Sequence, residues 1–188
     1  SILLRYLSGQ RLREGGTIPL FIELRKITSR VDIKSLILSS LSELGIQLNE
    51  TELTFVFESG KFTLLLDAFD EVPESLVQDT ITYLESICAQ HYNQQIIITS
   101  RPGAEVQKIS YFSVYKLDTL QVSDFRPMLM KFFSDDKEIV DEILKSLHEN
   151  SSDIIGLIST PLLLTLLAIT YKSYSKIPSQ LHEFYEDI

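Results

Sequence analysis

The chain has 188 residues, 44% of them hydrophobic, which is enough to bury one continuous core without disulfides or metals and to carry a helical appendix. Lys plus Arg number 17 against 26 acidic residues, and the net charge of -9 excludes the broad positive field that draws nucleic acid or an anionic membrane to a protein. A single cysteine, Cys88, has no second thiol to oxidise with, so a reduced, cytoplasmic setting is expected.

The chain opens Ser1-Ile2-Leu3-Leu4-Arg5, with no initiator methionine, charged leader or cleavage site; it reads as a cut end rather than a secretory signal. Ile2 to Leu7, stopped by Gly9, predicts a short apolar helix, and Arg11 to Gly16 a charged turn. Ile18 to Leu24 predicts the first strand. Asp32 to Leu44 predicts an amphipathic helix, because Ile33, Leu36, Ile37, Leu41 and Leu44 recur at helical spacing before Gly45. A second short helix is expected over Glu50 to Glu58. The almost wholly apolar run Phe62 to Phe69 then predicts a strand buried on both faces. Leu76 to Ala89 returns to helical periodicity, Ile96 to Ser100 predicts another strand, and Tyr111 to Leu117 alternates as a further one.

Beyond Asp118 the signals are helical: Phe125 to Phe133, Lys137 to Leu147, Ile154 to Tyr171 and an amphipathic piece from Gln180. Polar and proline interruptions make Ile154 to Tyr171 a buried helix, too broken to span a bilayer. The expected organisation is an α/β domain over residues 1–118 and a helical domain over 119–188. Strands separated by helices imply a parallel sheet with right-handed crossovers, and such sheets place ligands beyond the carboxyl ends of their strands.

Two strand ends carry chemistry. Leu64-Leu65-Leu66-Asp67-Ala68-Phe69-Asp70-Glu71 closes a buried strand with three carboxylates. Beside a nucleotide, Asp67 can hold Mg²⁺ through its water shell and a following acid can polarise a water. The plainer alternative is that Asp67 caps a turn and that Asp70 and Glu71 are solvated acids ahead of Pro73. Ile96-Ile97-Ile98-Thr99-Ser100-Arg101-Pro102-Gly103 ends in two hydroxyls and an arginine. Arg101 suits a phosphate oxygen or a carboxylate on the neighbouring strand equally, or is simply a surface residue before a turn. A third feature, Ser159-Thr160-Pro161-Leu162-Leu163-Leu164, is a helix start with proline in its first turn.

In this order and spacing the three features resemble the NACHT branch of signal-transducing P-loop NTPases. The likeness covers almost the whole chain, and Ile177 to Glu186, with Leu181, Phe184 and Tyr185, is similar to a short stretch that follows in that family. The resemblance implies an ATP- or ADP-controlled switch of the additional-strand sheet class. It implies Mg²⁺ on Asp67, a hydrolytic water oriented by Asp70 or Glu71, a γ-phosphate sensed by Arg101, and adenine packed on Pro161. It also implies self-association and flanking sensor and effector domains.

The family's Gly-x-x-x-x-Gly-Lys-Ser/Thr phosphate loop is not present. In the family a helix of the form x-Leu-Leu-Arg follows that loop at once, so Ser1-Ile2-Leu3-Leu4-Arg5 makes Ser1 a candidate for the loop's own hydroxyl residue. The central loop-bearing strand is then missing too. The sheet is expected to have a hole at its middle, costing about 1 to 3 kcal/mol per buried unpaired group, unless it is rearranged or completed by other chain. By itself the chain is expected not to hydrolyse ATP. The alternatives are a pseudo-NTPase scaffold that binds no nucleotide and, from the acidic strand alone, an AAA-type or helicase-like motor. His91, His148 and His182 lack metal-ligand spacing, and the aromatics Tyr171, Tyr174, Phe184 and Tyr185 are expected to pack helices together.

Overall fold

The computed structural model describes residues 1–134, 136–150, 155 and 158–174. It divides into two compact units, Ser1–Val114 and the chain from Tyr115 onward.

In the first unit three strands form one parallel sheet in the order β1 (Ile18–Glu23), β2 (Phe62–Asp67), β3 (Gln95–Ile98). The register aligns Ile18 with Phe62 and Glu23 with Asp67, and on the other side Thr63 with Gln95 and Leu66 with Ile98. β2 is the middle strand and is buried along its whole length, as its unbroken apolar run requires. The side-chain period of two then sorts the sheet into faces. Leu20, Ile22, Leu64 and Leu66 point into the main core, which is filled by α2 (Ile33–Glu43), α3 (Leu53–Ser59) and α4 (Glu74–Gln90). Phe21, Leu65 and Ile97 point to the opposite face, where α1 (Ile2–Glu14) lies with the Arg5 guanidinium 5.1 Å from the Phe21 ring centroid.

α1 is longer than its sequence suggests. It runs through Gly9, a tolerable cost of about 1 kcal/mol, and stops where Gly15 adopts φ 67. Ser1 caps its start, its hydroxyl accepting the Leu4 N–H at 3.3 Å. α2 begins where expected because Asp32 accepts from both the Ser35 N–H (2.8 Å) and the Ser35 hydroxyl (2.6 Å). These bonds hold the Asp32 carboxyl below its ordinary value of 3.8. A carboxylate whose folded value is depressed contributes stability above the unfolded value and loses it as pH falls through the folded one. Asp32→Ala is therefore expected to cost about 1 kcal/mol in urea unfolding at pH 7, with the difference from wild type shrinking below pH 3.8. A difference independent of pH would show that the cap is not ionic.

Two expectations about the sheet are corrected. Tyr111–Leu117 forms no strand: Tyr111, Val114, Tyr115 and Leu117 are exposed, and only Phe112 of this stretch packs on the core. Alternation supplied an apolar face, but no neighbouring strand supplies a ladder. The hole expected beside the Ile96–Ser100 strand is consequently an edge and not an interior gap, since Tyr111–Leu117 supplies no strand on its far side. Among the described residues, β3 instead has an open edge. Thr99 donates its N–H to the Leu66 carbonyl (3.0 Å) and accepts from the Phe69 N–H (2.8 Å). Its backbone groups face β2, so by alternation those of Ile96 and Ile98 face outward.

The second unit contains α5 (Val122–Phe132), α6 (Lys137–Asn150) and α7 (Pro161–Tyr174), closed around Phe125, Leu129, Val140, Ile143, Leu164 and Leu167. α7 starts at Pro161, not at Ile154: Ile158 and Ser159 lie outside any helix. Proline fits the first turn, where no N–H is needed, and the Thr160 hydroxyl accepts the Leu163 N–H at 3.3 Å. Tyr171 packs against this core and donates to Glu142 at 3.1 Å. The stretch Ile177 to Glu186 and the piece from Gln180 lie outside the described residues.

Candidate functional site

The carboxyl ends of β1 and β2 and the first turn of α1 enclose a half-open cleft of about 310 Å³, lined by Ser1, Arg5, Glu23, Arg25, Asp67, Ala68 and Glu71. Asp67 forms its floor. The residue is only 9% exposed; Oδ1 accepts the Thr99 hydroxyl at 2.8 Å, and Oδ2 accepts from the charged terminal amine at Ser1. Burial raises the Asp67 carboxyl; the charged terminal amine at Ser1, with the Thr99 and Ser1 hydroxyls, lowers it below its ordinary value of 3.8, and with residues ahead of Ser1 the amine's share is lost. Asp67 is thus a carboxyl group held in place by Thr99 at the end of the most buried strand.

Immediately after it, Ala68 adopts φ 58 and ψ 62, a left-handed conformation that costs an L-residue roughly 1 to 2 kcal/mol. Three bonds to Thr99, the residue after β3, hold the bend in place. Thr99 accepts the Ala68 N–H on its hydroxyl (3.1 Å) and the Phe69 N–H on its carbonyl (2.8 Å), while its hydroxyl proton goes to Asp67. Ala68→Val, a β-branched residue at positive φ, is expected to lower stability by about 1 to 3 kcal/mol, and Ala68→Gly to change it by less than about 1 kcal/mol. Equal effects of the two in thermal unfolding would mean that the bend is not strained.

The chain then makes a single 3-10 turn, Phe69–Glu71, that separates the two acids the sequence left together. Glu71 lines the cleft. Asp70 turns toward β3 and is taken up by Arg101, accepting its backbone N–H at 2.9 Å and its Nε at 3.2 Å. Neither Asp70 nor Arg101 lines the cleft. Pro161 belongs to the second unit, exposed at the first turn of α7. The structure thus brings Ser1, Asp67 and Glu71 to one place and pairs Asp70 with Arg101 beside it.

Sequence reasoning passed over the end of β1. Glu23, in register with Asp67, sits at the cleft's other wall, followed by a 3-10 turn over Leu24–Lys26. Glu23 binds Arg25 through Oε1 (2.6 Å) and Lys26 through Oε2 (2.9 Å). The Lys26 bond, together with the Arg25 charge, holds its carboxyl below the ordinary 4.5. The signal was available: in a parallel sheet the residues that close adjacent strands share one rim. A larger cleft of about 460 Å³ lies between the Thr28–Val31 turn and α4, but Asp32 there is committed to capping α2.

Hard oxygen donors and guanidinium groups in one cleft suit a phosphate ester with a divalent cation. Among the described residues no cluster of three or more acidic, histidine or cysteine side chains is arranged to hold a metal alone. No protein-family model matches the chain, and no curated protein matches it. Among the described residues, no helix is long and apolar enough to cross a membrane.

Proposed function

We propose that the chain is the acidic-strand portion of a NACHT-type nucleotide switch, in which Mg²⁺ with ATP or ADP governs the self-association of a larger cytoplasmic signalling protein. The observation that carries the reading is Asp67: a buried carboxylate at the end of the central strand of a parallel sheet, oriented by the Thr99 hydroxyl and facing a cleft that also holds Ser1, Glu71 and two arginines. The cleft is at the small end of ligand-binding cavities and suits the phosphate end of a nucleotide. The open edge of β3 supports the reading as well, because it offers a parallel place for a loop-bearing strand next to Thr99. In this reading Asp67 holds the cation and Glu71 orients a water. The bound nucleotide supplies the charged phosphate chain that the cation and arginines neutralise.

A scaffold that binds no nucleotide is the second reading. It is favoured by the Thr99 hydroxyl bond to Asp67 Oδ1, which commits one of the two carboxylate oxygens to the fold. Calorimetry with MgATP and MgADP on the natural protein carrying about 40 residues before Ser1, the span of one strand and a phosphate loop, separates the two. Micromolar binding supports the switch. A folded protein that takes up neither nucleotide is the scaffold.

A further inference from the structure

We infer that the cleft between the Thr28–Val31 turn and α4 binds a small zwitterion with an aliphatic body, of the amino-acid or short-peptide class, with Arg30 taking its carboxylate and Asp79 its ammonium. This cleft shares no lining residue with the Asp67 cleft, and the inference does not rest on the nucleotide reading.

One wall comes from α4. Leu76, Asp79, Thr80 and Tyr83 stand at the i, i+3, i+4, i+7 spacing that gathers side chains on one face of a helix. Such a row is ordinarily an apolar stripe against the core; here a carboxylate and a phenol interrupt it. The other wall is a tight turn. The Thr28 N–H donates to the Val31 carbonyl (2.9 Å) and the Val31 N–H to the Thr28 carbonyl (3.2 Å), which leaves Ser29 and Arg30 at the tip. The Thr28 hydroxyl accepts the Arg30 N–H at 3.3 Å and fixes that tip further. The buried aliphatic side chains of Ile27 and Ile33 also line the space. At about 460 Å³ it lies within the range of small-molecule sites.

The charges of this cleft are uncommitted. Among the described residues, Arg30 and Asp79 form no ion pair, either with each other or with a third group. The remaining polar groups are occupied: Asp32 Oδ1 accepts twice from Ser35, and the Thr80 hydroxyl donates to the Leu76 carbonyl at 2.8 Å. Opposite charges that line one cleft without pairing can be bridged by a ligand that carries both. A simple anion would meet the charge of Asp79, and a simple amine that of Arg30. Tyr83 adds a neutral donor. Burial, with the negative charges of Asp32 and Glu50, pushes its hydroxyl up to about 12, so it stays protonated, and among the described residues it has no hydrogen-bond partner. A guanidinium and a phenol in one cleft suit a carboxylate, and the isoleucines suit an aliphatic body.

The test titrates the natural protein with L-leucine, L-leucyl-L-leucine, 4-methylpentanoate and 3-methylbutylamine, read by calorimetry and by amide chemical shifts. The last two probes are leucine without its ammonium and without its carboxylate. At least one zwitterion is expected to bind and to shift the Ser29, Arg30, Asp79 and Tyr83 amides. Each single-charge analogue should bind about tenfold or more weakly, the loss of one charge-assisted contact. Tighter binding of leucine assigns the amino-acid class, and tighter binding of the dipeptide the peptide class. Arg30→Ala should reduce zwitterion affinity to that of 3-methylbutylamine without changing the amine's own, and Asp79→Asn should do the same with respect to 4-methylpentanoate. Both positions are exposed, so the variants should keep the native amide spectrum, and the analogue series needs no variant at all. The inference is overturned if neither zwitterion shifts these amides at about 10 mM, a concentration that would reveal even millimolar binding. It is equally overturned if a single-charge analogue binds as tightly as the zwitterions, or if Arg30→Ala leaves zwitterion affinity unchanged.

Discussion

Asp67→Asn is expected to lower Mg²⁺-dependent ATP turnover by the natural protein about 100-fold or more while moving its melting temperature by only a few degrees. The two effects separate because the substitution removes charge but keeps shape. An asparagine oxygen can still accept from Thr99, and the residue still ends a strand buried along its whole length. What goes is the fixed anion that a hard cation needs. The structural loss is limited to the charged character of the bond from Thr99, about 1 to 2 kcal/mol. Steady-state phosphate release beside a thermal melt checks both halves. Turnover within threefold of wild type would remove Asp67 from the cation site and, with it, the observation on which the proposed function depends.

The largest effect on stability is expected three residues earlier, at Leu64. Leu64, Leu65 and Leu66 are completely buried, and Leu64 and Leu66 project into the core between the sheet and α2, α3 and α4. Leu64→Ala should cost about 3 to 5 kcal/mol, from lost transfer free energy and the cavity left behind, because a central strand flanked on both sides cannot collapse into the space. That is a large share of the 5 to 15 kcal/mol by which a typical domain is stable. Ile97→Ala, on the half-buried β3, should cost appreciably less. Urea unfolding followed by far-ultraviolet circular dichroism gives the comparison. If Leu64→Ala shifted the midpoint no more than Ile97→Ala, β2 would not be the centre of the core.

How far these features were legible follows from the kind of signal each one leaves. β2 announced itself because burial on both faces demands an unbroken apolar run, and α2 because Asp32 and Gly45 punctuate its two ends. Asp67 was legible as the polar residue that ends that run. Tyr111–Leu117 misled because alternation records only which side chains are apolar, and a strand also needs a partner that no local pattern reveals. Gly9 misled in the opposite sense, since a glycine inside a helix weakens it without ending it. Glu23 and Arg25 were missed because each is an ordinary charged residue at a strand exit. Only the parallel register, which sets Glu23 beside Asp67, turns them into part of a site. The separation of Asp70 from Glu71 was likewise invisible, since it depends on one left-handed residue, Ala68.

The unequal coverage of the sheet has a consequence in time. Amides of β2 bond within a strand flanked on both sides, so their exchange with solvent deuterium should require opening of the whole unit. The Ile96 and Ile98 amides point to the open edge and should exchange within the dead time of a mixing experiment. Thr99 lies at the junction of these two regimes: its N–H bonds to β2, yet it follows the least protected strand. A partner strand that docks on β3 would slow Ile96 and Ile98, whereas a ligand in the cleft would slow Ala68 and Thr99. The molecule thus carries two separate clocks for the two events, readable in a single deuterium-uptake series.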